Sequence, residues 1–189
     1  INGMISVGTN EYATNVSGNT ITTVEGTPIT AYAGALAEIY DNTVSGASEG
    51  SGIGVQSSRV TIHGNSIGPI GGWNGIWLYG SFDVDAQNNT IIDTAKEPVM
   101  AGDYWAGDNP DVRRLYFANN QVTVPGTGVC QSSKYWGGEF PCSLVQVHRA
   151  GATIVDNIFT AGGSADGIRA TGALLNVQRN TWNLNAEGA

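Results

Sequence analysis

The sequence predicts an all-β solenoid: about seven coils of short parallel strands stacked along one axis, interrupted by two loop insertions. Three observations carry this. A pattern of apolar residue, two positions, Asn, one position and apolar residue recurs seven times, with its Asn at 19, 42, 65, 89, 120, 157 and 180. A second short run, Gly-Ile-x-Val in its clearest copies, precedes each occurrence. Apolar residues alternate at period two in both runs, and no segment carries a capped 3.6-residue stripe.

The Asn separations are 23, 23, 24, 31, 37 and 23, which is one unit of about 23 residues with two insertions. The clear copies of the preceding run are Gly52 to Val55, Gly75 to Leu78 and Gly167 to Ala170. Looser copies begin at Met4, Pro28, Pro98 and Leu144. A helix-free, three-strand unit of this length buries its apolar face only by stacking on its neighbours, about 4.8 Å apart. The repeated Asn fits a corner, because it tolerates left-handed backbone and its stacked amides can form a ladder. Glycines near the corners serve the same turning need.

Composition narrows the function. One domain, 1–189, accounts for the length, and the 41% hydrophobic content supplies a core. Sixteen acidic residues against two Lys and six Arg, a net charge of −8, argue against a nucleic-acid partner. No apolar run is long enough to predict a membrane span.

Here the sequence resembles the right-handed parallel β-helix repeat family, the solenoid of pectate-lyase-like proteins. The resemblance covers essentially the whole chain. Its Gly-Ile-x-Val and Ile-x-x-Asn-x-Ile elements are specific to architecture and not to chemistry. We expect an extracellular domain that binds or modifies a polysaccharide, as a lyase, hydrolase or epimerase if it is an enzyme. The alternative is a structural or adhesive solenoid without catalysis, a segment of a surface protein or assembly.

The two insertions, about 102–111 and 130–142, border the same predicted sheet, and loops on a rigid scaffold are where function concentrates. Cys130 and Cys142, the two cysteines of the chain, bracket the second. A disulfide closing that loop is the simplest reading, worth about 3 kcal/mol by loop entropy, with free thiols the alternative. It implies an oxidising, extracytoplasmic location. The chain begins at Ile1 on a strand, so we expect a mature product or a segment of a larger parent chain, or a homo-oligomer.

Alternation assigns the faces of the Gly-Ile strands. Ile53, Ile76, Val99, Val145 and Ile168 should point inward. Gly54/Gln56, Trp77/Tyr79, Met100/Gly102, Gln146/His148 and Arg169/Thr171 should point outward. With Tyr104, Trp105, Tyr135 and Trp136 from the insertions, Trp77, Tyr79 and Gln146 predict an aromatic surface with polar groups. Sugar rings stack their C–H faces on such aromatics. The structural alternative is that Trp77 and Tyr79 only pack beneath the insertions.

In related glycan hydrolases, carboxylates just before successive Gly-Ile-like strands do the acid/base work, and Glu25, Glu49, Glu97 and Asp166 lie near those corners. The polygalacturonase motifs Asn-Thr-Asp, Asp-Asp and Gly-His-Gly are absent. Pectate lyases and their relatives use an Arg or Lys base with acidic calcium ligands. That resemblance points to Arg169, Arg149 and His148 as base or charge stabiliser, and to Asp103, Asp108 and Asp111 as metal oxygens. Turn-forming Asp residues look the same. The expected catalytic set is Glu97, Asp103, His148 and Arg169, and calcium is the one cofactor expected. Arg59, Asp83 and Arg114, each six residues before an Asn, should stack as a surface ion ladder of little energetic weight.

Overall fold

The computed structural model describes residues 3–22, 24–80, 82–102, 113–124, 143–162 and 166–185. Asp103, Tyr104, Trp105, Asp108, Asp111, Cys130, Tyr135, Trp136 and Cys142 lie outside the described residues. Nearly all of both insertions falls there with them.

Each coil contributes one strand to each of three parallel sheets. Sheet 1 stacks β1 (Ile5–Val7), β4 (Ile29–Ala31), β7 (Ile53–Gln56), β10 (Ile76–Tyr79), β13 (Val99–Ala101), β16 (Ser143–His148) and β19 (Asp166–Thr171). Sheet 2 stacks β2 (Thr14–Ser17), β5 (Leu36–Tyr40), β8 (Arg59–His63), β11 (Phe82–Gln87), β14 (Arg113–Ala118), β17 (Gly151–Val155) and β20 (Leu174–Gln178). Sheet 3 stacks β3 (Thr20–Thr22), β6 (Thr43–Ser45), β9 (Ser66–Ile67), β12 (Thr90–Ile92), β15 (Gln121–Val124), β18 (Ile158–Gly162) and β21 (Thr181–Asn185). The seven coils match the expectation, and the Asn pattern spans two strands, with the Asn at the corner between sheets 2 and 3.

That corner works by a division of labour that the sequence reading had assigned to one residue. The left-handed residue precedes the repeated Asn in every coil: Gly18, Asp41, Gly64, Asn88, Asn119, Asp156 and Arg179 have φ between 52° and 66°. The repeated Asn itself is the ladder. Asn89 Nδ2 lies 2.9–3.0 Å from the carbonyls of Ile62 and Gln87, and 3.0 Å from Asn120 Oδ1. The backbone N–H of Asn89 also donates to Asn120 Oδ1, at 2.8 Å. The same bonds recur from Asn19 through Asn180 and cross both insertions without a break. Buried amides satisfied in this way hold the coils in register.

The glycines of the Gly-Ile strands also have a cause other than turning. A Cβ on Gly75 would lie 2.5 Å from Ile91 Cγ2 and 2.8 Å from the Pro98 carbonyl. A Cβ on Gly167 would lie 2.8 Å from the Trp182 ring. These positions bring the corner between sheets 3 and 1 against the core, where a side chain has no room.

The core is a set of columns. Ile29, Ile53, Ile76, Val99 and Val145 of sheet 1 are fully buried. Phe117 and Phe159 stack in the interior with Trp182, with centroids 6.4 and 4.3 Å apart along the series. The ends differ: Val7, Val16 and Ile21 of the first coil are at most 7% exposed, whereas Leu175, Val177 and Leu184 of the last are 39–44% exposed.

Candidate functional site

Sheet 1 holds the irregular side chains on an otherwise regular scaffold. Its register places Gly54, Trp77, Met100, Gln146 and Arg169 in one column on five consecutive coils. Outward parity, read from alternation, puts Trp77 and Tyr79 on the same side of β10 with room to stack. Their rings are 4.2 Å apart at 17°. Trp73, from the turn before β10, meets Trp77 edge-on at 5.2 Å and 76°. Gly54, the column residue one coil earlier, places no side chain beside Trp77.

Polar groups border the aromatic cluster. Tyr79 Oη donates to Gln56 Oε1 at 2.8 Å. Lys96 Nζ sits 4.9 Å from the centroid of Trp73, a cation–π contact. Buried Asn74 donates from Nδ2 to the Glu97 carbonyl at 2.8 Å and reaches Glu97 Oε2 at 3.4 Å. Trp77 is therefore the middle ring, held by its neighbours, while Trp73, 37% exposed, faces solvent. Trp73, Lys96 and Asn74 were not among the expected binding residues. Their signal was position: all three lie within four residues of the predicted β10 and β13.

The expected catalytic set is not assembled in the described part of the chain. Glu97 precedes β13 and Arg169 lies on β19, two coils further on, a separation of about 10 Å at parallel-strand spacing. Arg169 donates from Nη2 to Asp166 Oδ2 at 2.7 Å, so Asp166, also a corner carboxylate, holds it along its own strand. His148 keeps the outward parity of β16 but is only 3% exposed, which corrects the expectation of an outward, accessible imidazole. Alternation sets the side of the sheet on which a residue lies and not what lies over it. Gln146 keeps its expected outward place in the Trp77 column. Among the described residues, no group of three or more His, Cys, Asp or Glu side chains could hold a metal ion. The three Asp expected to bind calcium lie outside those residues.

The sequence reading also passed over Arg113. It occupies the inward position that Phe82 holds one coil earlier, and it is 3% exposed. Its Nε donates to the Gly80 carbonyl at 2.8 Å and its Nη1 to the Arg149 carbonyl at 3.4 Å, tying together the coils on either side. A guanidinium at a core-parity position was the available signal. The expected ion ladder is present on sheet 2: Arg114 and Arg59 both reach Asp83 Oδ2, at 2.7 and 3.6 Å, and all three side chains are exposed. His63 lies on that face too, stacked on Tyr40 and 3.1 Å from Glu38 Oε1.

No helix among the described residues is long and apolar enough to cross a membrane. Neither a curated protein nor a solved structure matches the chain. The family model described as the right-handed β-helix region matches residues 3–181, nearly the whole length, in accord with the three seven-stranded parallel sheets. The chain belongs to the right-handed β-helix family.

Proposed function

We propose that the protein is an extracellular polysaccharide-binding β-helix that engages its ligand on the outward face of sheet 1. The observation that supports this most is the cluster of Trp73, Trp77 and Tyr79, bordered by Gln56 and Lys96, with Gln146 two coils along the same column, on the sheet that both insertions adjoin. Stacked aromatic rings with hydrogen-bonding side chains at their edges suit a sugar, which offers C–H faces and hydroxyls together. The reading is of binding rather than turnover, because Glu97 and Arg169 are already engaged and stand two coils apart.

The test is retention and degradation on a glycan array, with and without calcium, for the wild type and Trp77→Ala. Retention without product release, weakened about tenfold in the variant, supports binding. Product release lost on Glu97→Gln or Arg169→Ala replaces it with an enzyme. No retention at all removes the glycan reading and leaves the structural or adhesive solenoid.

A further inference from the structure

We infer that the outward face of sheet 3 is a second functional surface, one that binds ice. Its first outward column runs in register through all seven coils, whereas the second is broken on the third coil, where β9 ends at Ile67. The first carries Thr20, Thr43, Ser66 and Thr90 on consecutive coils, every one of them exposed. Beside it, Thr22 and Ser45 continue the array on the first two coils, and Thr123 and Thr160 resume it on the fifth and sixth.

The spacing of this array is set by the backbone. Neighbouring coils lie about 4.8 Å apart, and side chains two residues apart on a strand about 6.6 Å apart. Along the first column hydroxyls therefore repeat at about 4.8 Å, a distance comparable with the spacing of oxygen rows in hexagonal ice, and on the first two coils Thr22 and Ser45 add a second row about 6.6 Å away. Threonine keeps its groups in place because a β-branched side chain is stiff about χ1. The asparagine ladder runs along one edge of this sheet and holds the strands in line.

A second, independent observation is charge. No outward position in these two columns of sheet 3 carries a charged side chain: the strand residues that interrupt the hydroxyls are Ile92, Gln121, Ile158 and Asn183. The outward face of sheet 2 carries Glu38, Arg59, Asp83, Asp85 and Arg114 in the same scaffold. Charged groups orient water around themselves and break a tetrahedral lattice. A face of aligned hydroxyls and methyls can anchor one. The complement of a neutral periodic face is a neutral periodic surface, and ice is one.

The experiment is nanolitre osmometry and ice-recrystallisation assay on the whole chain, with Thr43→Lys and Thr90→Lys, and with Trp77→Ala as a control on the other face. Both lysines replace exposed side chains, and circular dichroism checks that the coil is intact. Faceted ice crystals and a measurable freezing hysteresis are expected for the wild type and for Trp77→Ala, falling to the buffer value in the lysine variants. Round, freely growing crystals with the wild type overturn the inference, as does hysteresis unchanged by the lysines. Co-sedimentation with crystalline cellulose or chitin, lost in the lysine variants while ice grows normally, also overturns it and assigns the face to an insoluble neutral polymer. The glycan array reads sheet 1 through Trp77, so either proposal fails without the other.

Discussion

The corner between sheets 2 and 3 and the outward face of sheet 1 run the length of the same solenoid, and they treat sequence in opposite ways. At the corner each coil repeats the last: one left-handed residue, then an Asn whose amide meets the Asn of the next coil. On sheet 1 the register is equally regular, yet the column reads Gly54, Trp77, Met100, Gln146 and Arg169. The corner bonds coil to coil, so a change there is felt by its neighbours. The outward face bonds mostly to solvent and to itself, so it is open to specialisation.

The largest expected effect comes from breaking the corner. Asn120→Ala removes a side chain that donates to the Ala86 and Ala118 carbonyls and to Asn157 Oδ1, and that accepts from the backbone and amide of Asn89. It leaves several buried polar groups unpaired, at a cost of about 2–4 kcal/mol in chemical denaturation. Asn19→Ala should cost less, because among the described residues no other Asn donates to Asn19. Equal losses at both positions would mean that the ladder does not couple the coils.

Trp77→Ala should do the reverse. It sits on the outward face, so stability should change by about 1 kcal/mol, while glycan retention falls about tenfold. A variant that unfolds the coil but spares binding would reverse the roles assigned to the two regions.

How much of each region was legible in the sequence follows from the same contrast. Seven in-register Asn residues and the Gly-Ile runs are a repeated signal, and each copy confirms the others, so the coil number and the strands were readable. The residue that bends the chain was less so: Gly18, Asp41, Gly64, Asn88, Asn119 and Asp156 are types that tolerate left-handed backbone, but no single type marks the place and Arg179 breaks the pattern. Only at Arg179 does the backbone take that geometry against the residue's own preference. On the outward face, parity placed Trp77, Tyr79, Gln146 and Arg169. It could not show that His148 would be covered, that Arg169 would turn to Asp166, or that Trp73 and Lys96 would complete the cluster. Those contacts depend on turns, which have no repeat to read.

A smaller effect compares two serines near sheet 1. Ser58 Oγ donates to the Gln56 carbonyl at 2.8 Å and accepts from the Ala35 N–H at 3.1 Å. Ser51 is fully buried, and its Oγ has no hydrogen-bond partner among the described residues. Ser58→Ala should cost about 1 kcal/mol, whereas Ser51→Ala should be neutral or stabilising by up to about 1 kcal/mol, because it removes a desolvated hydroxyl. Thermal melts of the two variants separate them. A clear loss at Ser51 would show that its hydroxyl is bonded in solution.

The smallest effect lies on the solvent side of the corner itself. Asp156 and Arg179 are the left-handed residues of successive coils, and Arg179 grips both carboxylate oxygens at 2.7 Å. The hydrogen bond from Arg179 holds the Asp156 carboxyl below its ordinary pKa. A lowered folded-state value means that the bond contributes fully above the usual carboxylate range and is lost as pH falls through the lowered value. Both groups are at the surface, so this is a local adjustment and not a stability determinant. Carboxyl-carbon NMR should show Asp156 titrating lower in the wild type than in Arg179→Gln, with little change in the melting temperature near neutral pH. If the variant instead melted like Asn120→Ala, the outward side of the corner would be as structural as its ladder, and the division between a bonding interior and an adaptable surface would fail where the two are closest.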